Sequence, residues 1–316
     1  MRKFRWKFDF NRVLDRETFE LWLPQPQETP FQKRRLVQFT TNAQFKVLKN
    51  AEWNFDYIYL KFKDKENGIL ELTYDLEIAE RSSAGESYKW SQEKQELYLQ
   101  TRPHVPINEF IISFAQNIIG SASSAEDKAA KIYHWIIHHG ERDPNQVGCG
   151  LGNVEDSLRE GHICGRCVDV SSVAVALLRA VGVPSRELFG MRLGPALWTS
   201  GLGRTGDNSE AFHCKVEFMT EDQRWLVMDP GDVLKLALDE KLESTSSRFQ
   251  EISTKLLLRS DANWVYFNSL RDSSLEPATG MLENYFMYPL GLNLGERVSP
   301  YYPREFGFNI NVESLE

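Results

Sequence analysis

The stretch that most constrains this chain is Gly161-His-Ile-Cys-Gly-Arg-Cys-Val-Asp-Val-Ser-Ser-Val-Ala-Val-Ala-Leu-Leu-Arg-Ala-Val-Gly-Val-Pro-Ser-Arg186. Val170, Val173, Ala174, Leu177, Leu178 and Val181 recur at three- and four-residue steps, which predicts a helix with one buried face. Gly182 stands where a helix end favours a left-handed residue, and Pro184 prevents continuation. Cys167 therefore falls at or just before the first turn. Unpaired backbone N–H groups and the positive end of the helix dipole lie there. That setting lowers a thiol pKa and favours the thiolate, the form that attacks carbonyls.

A nucleophile of this kind needs a base, and the base needs an orienting group. His213 lies in Phe212-His-Cys-Lys-Val-Glu-Phe218, and Asp229 ends Trp225-Leu-Val-Met-Asp229 before a Pro-Gly turn. Four residues, Thr220-Glu-Asp-Gln223, separate the two runs, so strands 213–219 and 224–229 read as a hairpin. Adjacent antiparallel strands can set a His and an Asp side by side. The expected site is a triad: Cys167 as nucleophile, His213 as base, and Asp229 holding the imidazole tautomer.

With these motifs in order, the chain resembles the transglutaminase-like superfamily. The resemblance rests on Gly165-Arg-Cys167 opening an apolar helix, then Leu178-Arg-Ala-Val-Gly-Val-Pro-Ser-Arg186, then His213 with Glu217, then Trp225 with Asp229-Pro230. Further segments resemble a bacterial subgroup: Gly148-Cys-Gly-Leu-Gly-Asn153, Glu187-Leu-Phe-Gly-Met-Arg-Leu-Gly194 and Asn263-Trp-Val-Tyr-Phe-Asn-Ser-Leu-Arg-Asp272. Cys214 after His213 departs from the pattern, where small or aromatic residues are usual. The resemblance spans residues 105–310 and implies a papain-like α+β fold. It also implies acyl transfer on an amide through a thioester, by hydrolysis or transamidation, with a protein or peptide as substrate and no cofactor.

The remaining site candidates follow from what that chemistry needs. The backbone N–H of Cys167 is the first oxyanion donor, since it points along the helix axis. Asn153, Gln146, Arg166 and Trp198 are the candidates for a second donor or for substrate binding. Two other classes compete. Cys164-Gly-Arg-Cys167 is a C-x-x-C at a helix start, the pattern of a thiol–disulfide oxidoreductase. No strand-like apolar run leads into it, and His213 and Asp229 would then have no role. The third reading is a catalytically silent binding protein on the same scaffold. A zinc site on His162, Cys164 and Cys167 lacks a second pair at finger spacing, and no Asp-rich loop has calcium-ligand spacing. No metal is expected.

At 316 residues two domains are expected: an N-terminal β-sandwich over 1–103 and a catalytic domain over 104–316. Lys3–Val13, Thr18–Leu23, Arg35–Thr41, Tyr57–Lys63, Ile69–Ile78 and Glu96–Thr101 alternate apolar with polar, as strands do. Turn-type stretches divide them at 24–30, 64–68 and 82–86. Pro103-His-Val-Pro106 reads as the linker. Helices are expected at Asn108–Ile119, after Ser123 or Ser124, and near Val154–Glu160. Residues 195–211 read as a mobile flap beside His213, 233–260 as irregular or helical, and Asn263–Ser269 and Phe306–Val312 as strands closing the sheet. Net charge is −8, which argues against nucleic-acid binding. No apolar run reaches the ~18 residues of a membrane span, and the N-terminal residues do not read as a signal peptide. The chain is expected to be soluble, in the cytoplasm or exported with its signal removed.

Overall fold

The computed structural model describes residues 1–13, 18–63, 67–87 and 92–315. Part of the turn expected at 64–68 lies outside them. The chain forms two compact units, each discontinuous in sequence. The first comprises 1–79, 189–212 and 262–316, the second 80–188 and 213–261. The boundary expected at 103/104 lies inside the second unit.

The first unit is built from two five-stranded antiparallel sheets. In the first strand, Arg2–Arg12, the Phe4-Arg-Trp-Lys-Phe-Asp-Phe10 alternation sends Phe4, Trp6, Phe8 and Phe10 into the interior, each at most 1% exposed. The intervening charges face outward, as a period of two dictates. Strand Gly68–Ile78 pairs along one edge of it and the C-terminal strand Phe308–Ser314 along the other, in register from Phe4↔Ser314 to Phe10↔Phe308. The second sheet runs Glu296–Val298, Leu290–Asn293, Thr18–Pro24, Phe55–Lys63, Gln44–Asn50. Phe10 of one sheet meets Phe19 and Phe62 of the other at ring-centroid distances of 5.5 and 5.2 Å. Each such ring contributes ~2 kcal/mol on burial. Both ends of the sequence thus share one sandwich, because the C-terminal strands offer the same alternation as the N-terminal ones.

Residues 195–211 belong to this unit. They hold a tight turn bridging Ala196 and Thr199, and a short strand, Gly206–Asp207, pairing with Val312 and Asn311. The segment read as a flap is tied into the sandwich by backbone hydrogen bonds.

The second unit is mainly helical. Its axis is the helix Cys167–Ala180, whose residues from Cys167 to Arg179 are all buried. The expectation of one buried face understates this. Helices Glu109–Ile119, Ala125–His139, Val154–Glu160 and Pro230–Asp239 all pack on it, so its small Ser171, Ser172, Ala174 and Ala176 are enclosed as well. Expected helix starts hold: Asn108 caps through Ile111 N–H, and Ser124 caps through Asp127 N–H. The hairpin Phe212–Met219 with Arg224–Met228 forms as expected, with Val216 opposite Met228. Residues 96–101, expected as a strand, instead end a short helix, Gln92–Leu97, and continue through turns. Among the described residues, no helix is long and apolar enough to cross a membrane.

Candidate active site

Cys167 is the first residue of its helix, 3% exposed. Burial alone pushes its thiol pKa up. Hydrogen bonds with Cys149, Cys214 and His213, and the charge of His213, outweigh burial and hold the thiol well below its ordinary value. Cys214 moves the other way: burial, the hydrogen bond to Cys167 and the charge on Cys167 keep its thiol protonated. Its Sγ also lies 3.4 Å from Ser171 Oγ.

His213, 1% exposed, donates from Nε2 to Asp229 Oδ2 at 2.8 Å. A carboxylate only accepts, so this bond fixes the proton on Nε2 in the neutral ring. Asp229 reaches His213 diagonally: continuing the hairpin register sets Asp229 opposite Lys215, two positions from His213. Lys215 Nζ stands 3.7 Å from Asp229 Oδ2 and donates to Ser260 Oγ at 2.7 Å. The Pro-Gly turn expected after Asp229 is a helix start. Pro230 is its first residue and Asp229 its N-cap, accepting from Asp232 N–H at 3.0 Å. Asp before Pro is a recognised helix-start signal.

The thiol–imidazole–carboxylate set thus comes from three elements of one unit: a helix start, a strand and a second helix start. The Transglutaminase-like superfamily model matches residues 112–230, which contain all three residues. An uncharacterized protein of Haemophilus influenzae is 31% identical over 318 residues, covering 93% of this chain and 86% of the relative. The chain belongs to the transglutaminase-like superfamily. A solved structure of a proposed cysteine protease from Cytophaga hutchinsonii superposes with a TM-score of 0.62 at 14% identity, covering 100% of this chain and 91% of that one. That likeness concerns the fold, which is α+β and transglutaminase-like.

Around this transglutaminase-like core the other candidates separate. Gln146 and Arg166 converge on Asp169: Gln146 Nε2 and Arg166 N–H each donate to Asp169 Oδ2 at 2.9 Å. Arg166 also reaches Pro144 O at 2.9 Å. Asn153 is exposed at the start of Val154–Glu160, and its side chain makes no cap bond there. Trp198 is half-buried in the turn of residues 196–199, in the other unit. His162 and Cys164 both turn to the exposed Glu141. Burial, with the bond to Glu141, raises the Cys164 thiol pKa. An attacking cysteine of a C-x-x-C site needs the opposite shift.

Four residues beside the proposed triad escaped the sequence reading. Asp169 is the third helical residue, where an acidic side chain reaches back over a helix start. Its Oδ1 accepts from Leu151 N–H at 3.0 Å and Gly152 N–H at 2.9 Å. A Cβ on Gly150 would lie 2.0 Å from Asp169 Oδ2, and one on Gly165 at 2.4 Å. The Gly-x-Gly-x-Gly pattern of 148–152 was the available signal: the loop must close on a carboxylate. Asp232 was invisible because only the helix start turns it toward His213, its Oδ1 3.4 Å from Nε2. Cys149 and Cys214 carry no local signal of a shared site, and tertiary packing brings their thiols to Cys167.

Ligand atoms of His213, Asp229 and Asp232 lie within 4.8 Å of one another, close enough to hold a cation. Their donors and acceptors are already committed to each other. Nε2 carries its proton to Asp229, and Asp229 caps a helix. The set fits hydrogen-bonded orientation of an imidazole better than coordination, which would need Nε2 deprotonated.

Proposed function

We propose that this protein is a cysteine-dependent enzyme that transfers the acyl group of a peptide or isopeptide amide to water or to an amine. Cys167 attacks the carbonyl as thiolate. His213 takes the thiol proton and later delivers it to the leaving amine, and Asp229 holds the ring through Nε2. The Cys167 N–H at the helix start is the oxyanion donor. The observation that carries this reading is the buried set itself. One imidazole bonds Cys167, is oriented by a carboxylate at 2.8 Å through Nε2, and pairs with a thiol held well below its ordinary pKa. Among the four cysteines only Cys167 combines a helix start, an imidazole partner and a lowered pKa.

The test uses a library of peptide amides, read by ammonia or amine release, with hydroxylamine as a second acceptor. The parent is expected to turn over members of the library, and Cys167→Ala to lose all turnover while keeping its unfolding midpoint. Iodoacetamide at neutral pH is expected to label Cys167 before Cys149, Cys164 or Cys214. Turnover surviving in Cys167→Ala, or first labelling at Cys164 with disulfide reductase activity, would replace this reading with the oxidoreductase one.

A further inference from the structure

Three of the four cysteines meet at one place, and acyl transfer uses a single thiol. Cys149, Cys167 and Cys214 are 7%, 3% and 0% exposed, and Cys149 and Cys214 both hydrogen-bond the Cys167 sulfur. None of the four cysteines is in a disulfide. The two neighbours differ in backbone setting. Cys214 sits inside the strand Phe212–Met219 with its thiol engaged on Ser171. Cys149 lies in the glycine loop, and its carbonyl accepts from Val168 N–H at 2.8 Å, which holds the two backbones side by side. Gly148 and Gly150 flank it with φ of +74° and +101°. A disulfide needs a narrow Cβ–S–S–Cβ geometry, and a segment hinged by two glycines adjusts to it with less cost than a residue in mid-strand.

We infer that Cys149 is a resolving cysteine for Cys167, and that the pair is a site of reversible oxidation by a peroxide-class oxidant. The Cys167 thiolate attacks one peroxide oxygen, the O–O bond breaks, and hydroxide leaves. Cys167 is oxidised by two electrons to the sulfenic acid and the peroxide is reduced. The Cys149 thiol then attacks the sulfenic sulfur. The S–S bond forms, the S–O bond breaks, and the hydroxyl departs with the thiol proton as water. A thiol reductant reverses the second state by exchange. The low thiol pKa of Cys167 favours the first step. Without a resolving partner a second peroxide oxidises the sulfenic acid to sulfinic acid, which thiols do not reduce. This inference concerns the reactivity of the thiols and does not depend on the acyl-transfer reading.

The experiment treats the full chain with one equivalent of hydrogen peroxide, then titrates thiols in denaturant and maps peptides by mass spectrometry. The parent is expected to keep two titratable thiols of its four and to yield a Cys149–Cys167 linked peptide. Iodoacetamide labelling of Cys167 should fall by about tenfold or more and return on dithiothreitol treatment. Cys214→Ser is expected to form the same link. Cys149→Ser, given a second equivalent of peroxide, is expected to gain two oxygens at Cys167 and not to recover. Because the parent's linked peptide decides the partner by itself, the inference stays testable even if Cys149→Ser fails to fold. A Cys164–Cys167 or Cys167–Cys214 link in the parent, or direct conversion of parent Cys167 to sulfinic acid, would overturn it.

Discussion

Asp229 holds His213 Nε2 at 2.8 Å with one carboxylate oxygen, and the N–H of Asp232 at 3.0 Å with the other. One side chain therefore orients the imidazole and starts the helix that carries Asp232. The two tasks can be separated by substitution, because Asn caps a helix about as well as Asp.

Asp229→Asn is expected to keep the cap on Pro230–Asp239, with the capping contribution within about 1 kcal/mol of the parent. The amide no longer fixes the proton on Nε2 nor balances the imidazolium. Turnover of an amide substrate should fall ~10³–10⁴-fold, as at other triads, and the alkylation profile of Cys167 should move to higher pH. An unmoved profile with full turnover would deny Asp229 its orienting role.

The pH dependence of Cys167 alkylation follows from the direction of its shift. Burial opposes the thiolate, but the bonds from Cys149, Cys214 and His213 and the His213 charge lower the pKa well below the usual ~8.5. Alkylation of Cys167 should therefore persist to lower pH than that of an ordinary thiol, declining when protonation of the thiolate removes the nucleophile. Cys164, whose pKa is raised, should gain rate only at higher pH than an ordinary thiol. Stopped-flow iodoacetamide labelling with peptide mapping measures both limbs. Parallel profiles for the two thiols would contradict the assignment.

Asp169 accepts from Gln146, Leu151, Gly152 and Arg166. Asp169→Ala leaves those donors without their acceptor and should cost about 3 kcal/mol or more in urea unfolding. It should also speed Cys149 labelling by releasing the glycine loop. Gly150→Ala tests the same closure from the other side. Its Cβ would meet Asp169 Oδ2 at 2.0 Å from a backbone at φ +101°, so it should be destabilised too. Two variants as stable as the parent would show that the loop is not anchored there.

Glu217 is fully buried between Arg186, which donates from Nε at 2.8 Å, and Arg81. Arg186 also donates to Tyr98 Oη at 2.8 Å. Glu217→Gln removes the charge between two buried guanidinium groups and should cost ~3–5 kcal/mol. Burial raises the Glu217 pKa, but the charges of Arg186 and Arg81 outweigh it, leaving the folded value below the unfolded one. The associated stability is therefore full above the unfolded value of ~4.3 and is lost as pH falls through the lower folded value. Urea titrations at pH 7, 4 and 3 should show the parent's stability falling toward that of Glu217→Gln. A constant gap between the two across this range would refute the linkage.

The amino-acid sequence by itself determined what depends on local spacing. The 3.6-residue period after Cys167 and the Gly182–Pro184 stop predicted the buried helix with Cys167 at its first turn. The period-two run Phe4–Phe10 predicted a strand with an aromatic inner face. The order Cys167, His213, Asp229 pointed to acyl-transfer chemistry. Only the tertiary structure decided what depends on packing between distant segments. The alternation in Phe306–Val312 marked a strand, yet nothing local chose Arg2–Arg12 as the partner of the strand that forms, Phe308–Ser314, since strand pairing is a long-range choice among similar edges. Glu96–Thr101 alternates like a strand but lies at a helix end, because tertiary context overrides weak local preference over so few residues. Asp169, Asp232, Cys149 and Cys214 had no periodic signature. Their roles come from where a closed glycine loop, a helix start and a strand set their side chains around the Cys167 helix.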